Sequence, residues 1–152
     1  KSTYMSYFKL HLYLLLKLPS AFFTGVRVKT INDKSCQTTV SLSWINQNPF
    51  KSMFWAIQGM AAELSTGLLI MNKIKNSGHN ISMLVLHNKA SFYKKGKGKL
   101  HFSCDQGNEI DHIIQTAINT GEGQTLTLVS KGINKDQVCV SEFEFEWTLK
   151  RR

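Results

Sequence analysis

Residues 53–75, MFWAIQGMAAELSTGLLIMNKIK, form the longest helical segment of the chain, and their reading decides its architecture. Apolar side chains recur nearly all round: Met53, Phe54, Trp55, Ile57, Met60, Leu64, Leu68, Leu69, Met71 and Ile74. A helix that is apolar on every side has to be surrounded by protein. Ser52 stands where an N-cap hydroxyl would serve the first turn, and Gly78 suits the stop. One acid interrupts the run: Glu63, the only carboxylate between Asp33 and Asp105. Gly59 and Gly67 stand four residues to either side of it, with Ala56 one turn further up. That stripe has almost no bulk. A mid-helix glycine costs about 1 kcal/mol against alanine, so close approach by a backbone or a ligand is expected there.

The flanks change period. Residues 1–19 read as an N-terminal helix with an apolar stripe at Tyr4, Phe8, Leu12, Leu15 and Leu16, ended by Pro19. Its richest run, Leu10 to Leu18, is broken by His11 and Lys17 and is too short to span a bilayer. A packed helix is preferred to a signal peptide, because Phe22 and Phe23 directly follow the small residues Ser20 and Ala21. Val26 and Val28 then alternate with Arg27 and Lys29, and Thr38, Val40, Leu42 and Trp44 share one face of a second strand. Asn32-Asp33-Lys34-Ser35 between them is turn chemistry, which makes a hairpin.

Beyond the long helix, Ile81 to Tyr93 and Lys99 to Cys104 read as two strands joined by a basic glycine-broken turn. A short amphipathic helix covers about residues 109–119, and a further strand begins near Leu126. The last segment alternates cleanly, with Cys139, Ser141, Phe143, Phe145, Trp147 and Leu149 opposed to Glu142, Glu144 and Glu146. This order predicts a single α+β domain over residues 1–152, an antiparallel sheet wrapped around the central helix 53–75.

Charge narrows the partners. The chain carries a net charge of +9, with 14 Lys and Arg against two acids in residues 1–100 and five against eight thereafter. A basic face attracts an anionic partner: coenzyme A, an acidic membrane surface or nucleic acid. Four lysines crowd the turn from Lys94 to Lys99, which reads as a solvated tip or a phosphate site; it lacks a P-loop pattern. No helix-turn-helix, zinc or RNA-recognition motif is present, so nucleic acid is the third choice of partner. Three dispersed cysteines, Cys36, Cys104 and Cys139, suit reduced thiols in a cytoplasm. The fragment His101-x-x-Cys104 lacks a second ligand pair, so neither metal nor cofactor is implied.

The run Asn48-Pro49-Phe50-Lys51-Ser52-Met53-Phe54-Trp55-Ala56, leading to Glu63, resembles the hotdog-fold thioesterases of the phenylacetyl-CoA type. That family has an Asn, six residues later His-Gly-Gly, and a helical Asp or Glu seven residues after the second Gly. Here Asn48 matches the Asn, Phe54 the His, Trp55 and Ala56 the glycines, and Glu63 the carboxylate. The match is closer still to a less characterised bacterial branch with an Asn-Pro-Phe run before the helix, and it extends to the order of elements over residues 20–150. The resemblance implies a hotdog fold and an acyl-CoA thioesterase site lying between subunits of a dimer or tetramer. It puts the oxyanion-holding N–H on Trp55, with Phe54 and Ala56 at the substrate entry; the bare stripe and the helical spacing add Gly59 and Thr66 against the substrate.

The residues themselves allow that chemistry. An unpaired carboxylate in an apolar helix has a raised pKa and can act as general base toward water, which Thr66 could also bind. The competing readings are a satisfied structural glutamate, or one on a polar edge of the helix with Lys73 and Asn72. Asn48 has equal claims as an orienting group and as a turn residue before Pro49. Phe54 and Trp55, in place of His and Gly, motivate a second function: non-catalytic binding of an acyl chain or acyl-CoA.

Overall fold

A long helix apolar on most of its surface needs a sheet to cover it, and the computed structural model, which describes residues 5–152, provides one. In chain order the elements are α1 (Tyr7–Lys17), α2 (Pro19–Phe23), β1 (Arg27–Ile31), β2 (Cys36–Ser41), α3 (Trp55–Ser77), β3 (Ile81–Phe92), β4 (Lys99–Cys104), α4 (Gly107–Thr120), β5 (Gln124–Ile133) and β6 (Cys139–Arg151). Six strands make one antiparallel sheet in the order β1-β2-β4-β5-β6-β3. This is the hotdog arrangement, with α3 lying against β2, β4, β5 and β6. Ala61, Ala62, Leu69 and Ile70 of α3 are fully buried against Phe102, Phe143, Phe145 and Trp147 of the sheet. The alternation read in β6 is present, with Phe143, Phe145, Trp147 and Leu149 inward and the three glutamates half-exposed.

Polar staples fix how α3 is turned about its axis. The Thr38 hydroxyl of β2 donates to Ala61 O at 2.7 Å. The Trp147 indole N–H of β6 donates to Thr66 Oγ1 at 3.0 Å, and that hydroxyl donates to Glu63 O at 2.8 Å. Ser65 and Ser130 share a buried hydroxyl pair at 2.7 Å. Such bonds, made inside a core, specify one rotation out of several that apolar contact alone would accept.

Four expectations need correction. The stripe read in the first helix is the wrong face: Leu10 and Leu14 are buried, whereas Phe8 is 78% and Leu16 67% exposed. Nearly every position there is apolar, so periodicity cannot choose; hydrogen bonds do. His11 accepts the Val28 N–H on Nε2 at 3.2 Å while its Nδ1–H donates to Tyr7 O, turning that side toward β1. Tyr4 lies outside the described residues.

Trp44 does not share the buried face of β2. The strand stops at Ser41, and Trp44, 84% exposed, sits in a 3-10 turn. Asn46 causes this: its Oδ1 accepts the Ser43 N–H at 2.8 Å and its Nδ2 donates to Thr24 O and Ser41 O. The strands β3 and β4, consecutive in sequence, are not partners; β3 pairs with β6 and β4 with β2 and β5. The lysine segment is therefore a crossover. It is pinned to the other end of the sheet by Met53 N–H on Gly96 O and Leu42 N–H on Gly98 O, at 2.8 and 2.9 Å. Last, α3 starts at Trp55 rather than Met53, without a serine cap, as described below.

The α4 start is a tight contact. A Cβ on Gly107 would lie 2.2 Å from Asp33 O and 2.7 Å from Lys34 Cα, backbone atoms of the β1–β2 turn. Gly107→Ala should lower the unfolding free energy by about 1–3 kcal/mol. Gly123→Ala, which meets nothing within 4 Å, should stay within about 0.5 kcal/mol in the same urea titration.

Candidate active site

The segment before α3 is held by one side chain. Asn48 Oδ1 accepts the N–H of Phe50 at 3.0 Å, the N–H of Ser52 at 3.2 Å and the Ser52 hydroxyl at 3.1 Å. Its Nδ2 donates to Met53 O at 3.4 Å. Ser52, expected as the N-cap, is thus spent on Asn48. Phe54 takes the N-cap place with extended backbone and no side-chain oxygen to offer. Ile57 and Gln58 reach back to Phe54 O, but among the described residues no acceptor meets the N–H of Trp55 or Ala56. A helix start left open in this way presents unmet N–H groups and the positive end of the dipole.

That open end faces a cleft of about 600 Å³. Asn48, Phe50, Phe54, Trp55 and Gln58 form one wall, and the segment Phe92–Gly96 forms the other, bringing Lys94 and Lys95. Phe50 and Trp55 are 71% and 58% exposed, and the Lys95 ammonium lies 5.8 Å above the Phe50 ring.

Glu63 lies elsewhere. It is half-buried in a second cleft, of about 210 Å³, walled by Met60 and Leu64 of α3 and by Lys17, Leu18, Pro19 and Ala21 of the α1–α2 corner. Among the described residues its carboxylate has neither a hydrogen bond nor an ion pair. Burial pushes its pKa above the usual carboxylate range. Lys73, named with Asn72 as a polar edge for it, is instead bound to Asp111 at 2.8 Å.

The sequence-predicted site residues therefore fall into three sets. Asn48, Phe54 and Trp55 share the cleft at the helix start. Glu63 is eight residues on, about 12 Å along the axis. Ala56, Gly59 and Thr66 line neither cleft. The small-residue stripe is explained by packing: a Cβ on Gly59 would meet Phe143 at 3.4 Å, and one on Gly67 would meet Trp147 at 3.2 Å. The rings of β6 make the close approach expected of a ligand. Thr66 is fully buried, its hydroxyl engaged by Trp147 and Glu63 O, which leaves water no access.

Two contributors escaped the sequence reading. Gln58 lines the first cleft, and its position one turn after Phe54 could have signalled it. The α1–α2 corner over Glu63 had no local signal.

No protein-family model matches the chain, and no curated protein matches it in sequence. Solved structures do. A probable thioesterase of unknown function from Pseudomonas aeruginosa superimposes with a TM-score of 0.84 over 100% of both chains, at 16% identity. A thioesterase from Haemophilus influenzae gives 0.72 over 99% of this chain and 94% of its own, at 10% identity. A Staphylococcus aureus protein, solved as a glutamate-to-alanine variant and, under the name thioesterase, as a glutamine-to-alanine variant, gives 0.65 at 14% identity. The first variant covers 84% of this chain and 94% of its own, the second 91% and 98%. The chain shares the fold of these proteins, the hotdog fold of thioesterases.

Proposed function

We propose that the protein hydrolyses acyl thioesters carried on coenzyme A, with Glu63 as general base or nucleophile and the Trp55 N–H in the oxyanion hole. The observation that carries this is the half-buried carboxylate, without a partner among the described residues, whose pKa is raised by desolvation. As a base, Glu63 takes a proton from water while the hydroxide adds to the thioester carbon. The carbonyl oxygen, now negative, rests on the open helix start. Collapse restores the carbonyl, breaks the C–S bond and releases the thiolate, which takes up a proton. Lys94 and Lys95 at the same cleft suit the phosphates of the carrier.

In one copy the helix start and the carboxylate occupy separate clefts, so the reading requires two copies whose α3 helices lie side by side. The free edge of β3, 12 residues long with Leu84 and Leu86 exposed, suits self-association into a dimer or tetramer. In the Staphylococcus aureus protein the altered glutamine and glutamate stand 15 positions apart. Asn48 and Glu63 have the same separation here. Asn48 serves as the organiser of the loop that presents Trp55. The alternative, acyl-CoA binding without turnover, draws on the Phe54 and Trp55 rings crowding the helix start. Tight binding with no hydrolysis across an acyl-chain panel would favour it. Three cysteines without a disulfide suit reduced thiols, and so a cytoplasmic location.

Glu63→Ala should cut thioester kcat/KM by about 100-fold or more, measured by release of free thiol; an unchanged rate refutes the mechanism. Wild-type kcat/KM should fall as pH drops through the raised pKa of Glu63, where the base becomes protonated. Stability should run the other way. A carboxyl whose pKa is higher folded than unfolded favours the native state at low pH, and that contribution is lost as pH rises through the folded value. Glu63→Gln should therefore melt above wild type at pH 7, with the gap closing below the ordinary glutamate pKa of about 4.3.

A further inference from the structure

Helix α1 is apolar on two opposite sides. Leu10 and Leu14 enter the core at 4% and 0% exposure. Phe8, Leu12 and Leu16 face the other way, 78%, 43% and 67% exposed. Residues four apart stack on one face of a helix, so these three make a continuous row about 12 Å long. The row is not free to turn inward. The Val28 N–H donates to His11 Nε2 at 3.2 Å, and the Tyr7 hydroxyl donates to Lys29 O. Rolling the helix would break both bonds to β1 and lift Leu10 and Leu14 out of the core. Large apolar side chains aligned and held toward solvent mark a surface made for another apolar body.

Charge says what that body is. From Met5 to Ile31, through α1, α2 and β1, the chain has Lys9, Lys17, Arg27 and Lys29 and no Asp or Glu. Lys9, Lys17 and Lys29 are exposed and make no ion pair among the described residues. The Arg27 guanidinium is engaged by Phe22 O and Val26 O, and Glu63 is half-buried in its own cleft. A second copy of α1 packed on this row would set lysine against lysine. The complementary partner is apolar beneath a negative surface, which describes an anionic bilayer. A helix lying flat on one sinks its large apolar side chains into the boundary between headgroups and acyl chains, while lysine stems reach out to the phosphates. We infer that α1 docks the protein on anionic phospholipid membranes, with Phe8, Leu12 and Leu16 inserted and Lys9 and Lys17 on the headgroups. Attachment is peripheral, since no helix among the described residues is long and apolar enough to cross a membrane. The row lines neither the cleft at the helix start nor that of Glu63, so the inference stands apart from the hydrolase reading.

The test is co-sedimentation of the full chain with vesicles of phosphatidylcholine alone, or of an equal mixture with phosphatidylglycerol. Wild type should bind the mixed vesicles at least about tenfold more tightly, and added salt should erode that preference. Phe8→Ser with Leu16→Ser should weaken binding to the mixed vesicles by about tenfold or more, because two inserted apolar side chains are lost. Both positions face solvent, so its thermal melting should match wild type. Lys9→Gln with Lys17→Gln should shrink the difference between the two vesicle types. Three results overturn the inference: no binding of wild type to the mixed vesicles, equal binding to both kinds, or full binding by the Phe8→Ser, Leu16→Ser variant. The last would assign attachment to the lysine crossover instead. A fall in native mass by light scattering in that variant also overturns it, because the row is then a contact between copies.

Discussion

The rotation of α3 about its own axis governs everything else in the molecule. Apolar residues encircle this helix, so burial alone does not say which side meets the sheet. The choice is made by a few directed contacts: Thr38 on Ala61 O, the Trp147 indole on Thr66, and the bare flanks of Gly59 and Gly67 against the β6 rings. With those made, Leu69 and Ile70 face inward and Glu63 faces the α1–α2 corner. Rotating the helix by one residue position would break all of them together.

The architecture was legible because period and length carry it. Alternation in β6, turn chemistry at Asn32–Ser35 and a 23-residue apolar helix leave few ways to bury everything. The misreadings have two physical causes: too little local contrast, and bonds or pairings that override a local pattern. In α1 nearly all positions are apolar, so the bonds to β1, from Val28 N–H to His11 and from the Tyr7 hydroxyl to Lys29 O, select the face. At Trp44 a single asparagine with three hydrogen bonds outweighs a regular alternation. Pairing of β3 with β6 is a long-range choice that no window of sequence records.

The site was half legible. Glu63 stood out because it is a lone charge in apolar surroundings, and it keeps that character folded. Asn48 and Trp55 fell together because the loop between them is short. The glycines misled, since the space they leave is filled by aromatic rings from 80 residues away rather than by a ligand. Two local costs coexist in α3, an uncapped start and a desolvated acid, each working against stability. Such costs, concentrated in one helix, are the pattern of a site held ready for a partner of opposite character.

The sheet order has a further implication for how the molecule comes into being. Edge strand β3 is bonded only to β6, the final strand of the chain order, with β4, α4 and β5 made in between. During synthesis its twelve residues stay unpaired until that late strand arrives. Closing so wide a loop is entropically slow. The nascent chain thus passes through a stage with an unpaired strand, and its hazard is association with other copies before the sheet is complete.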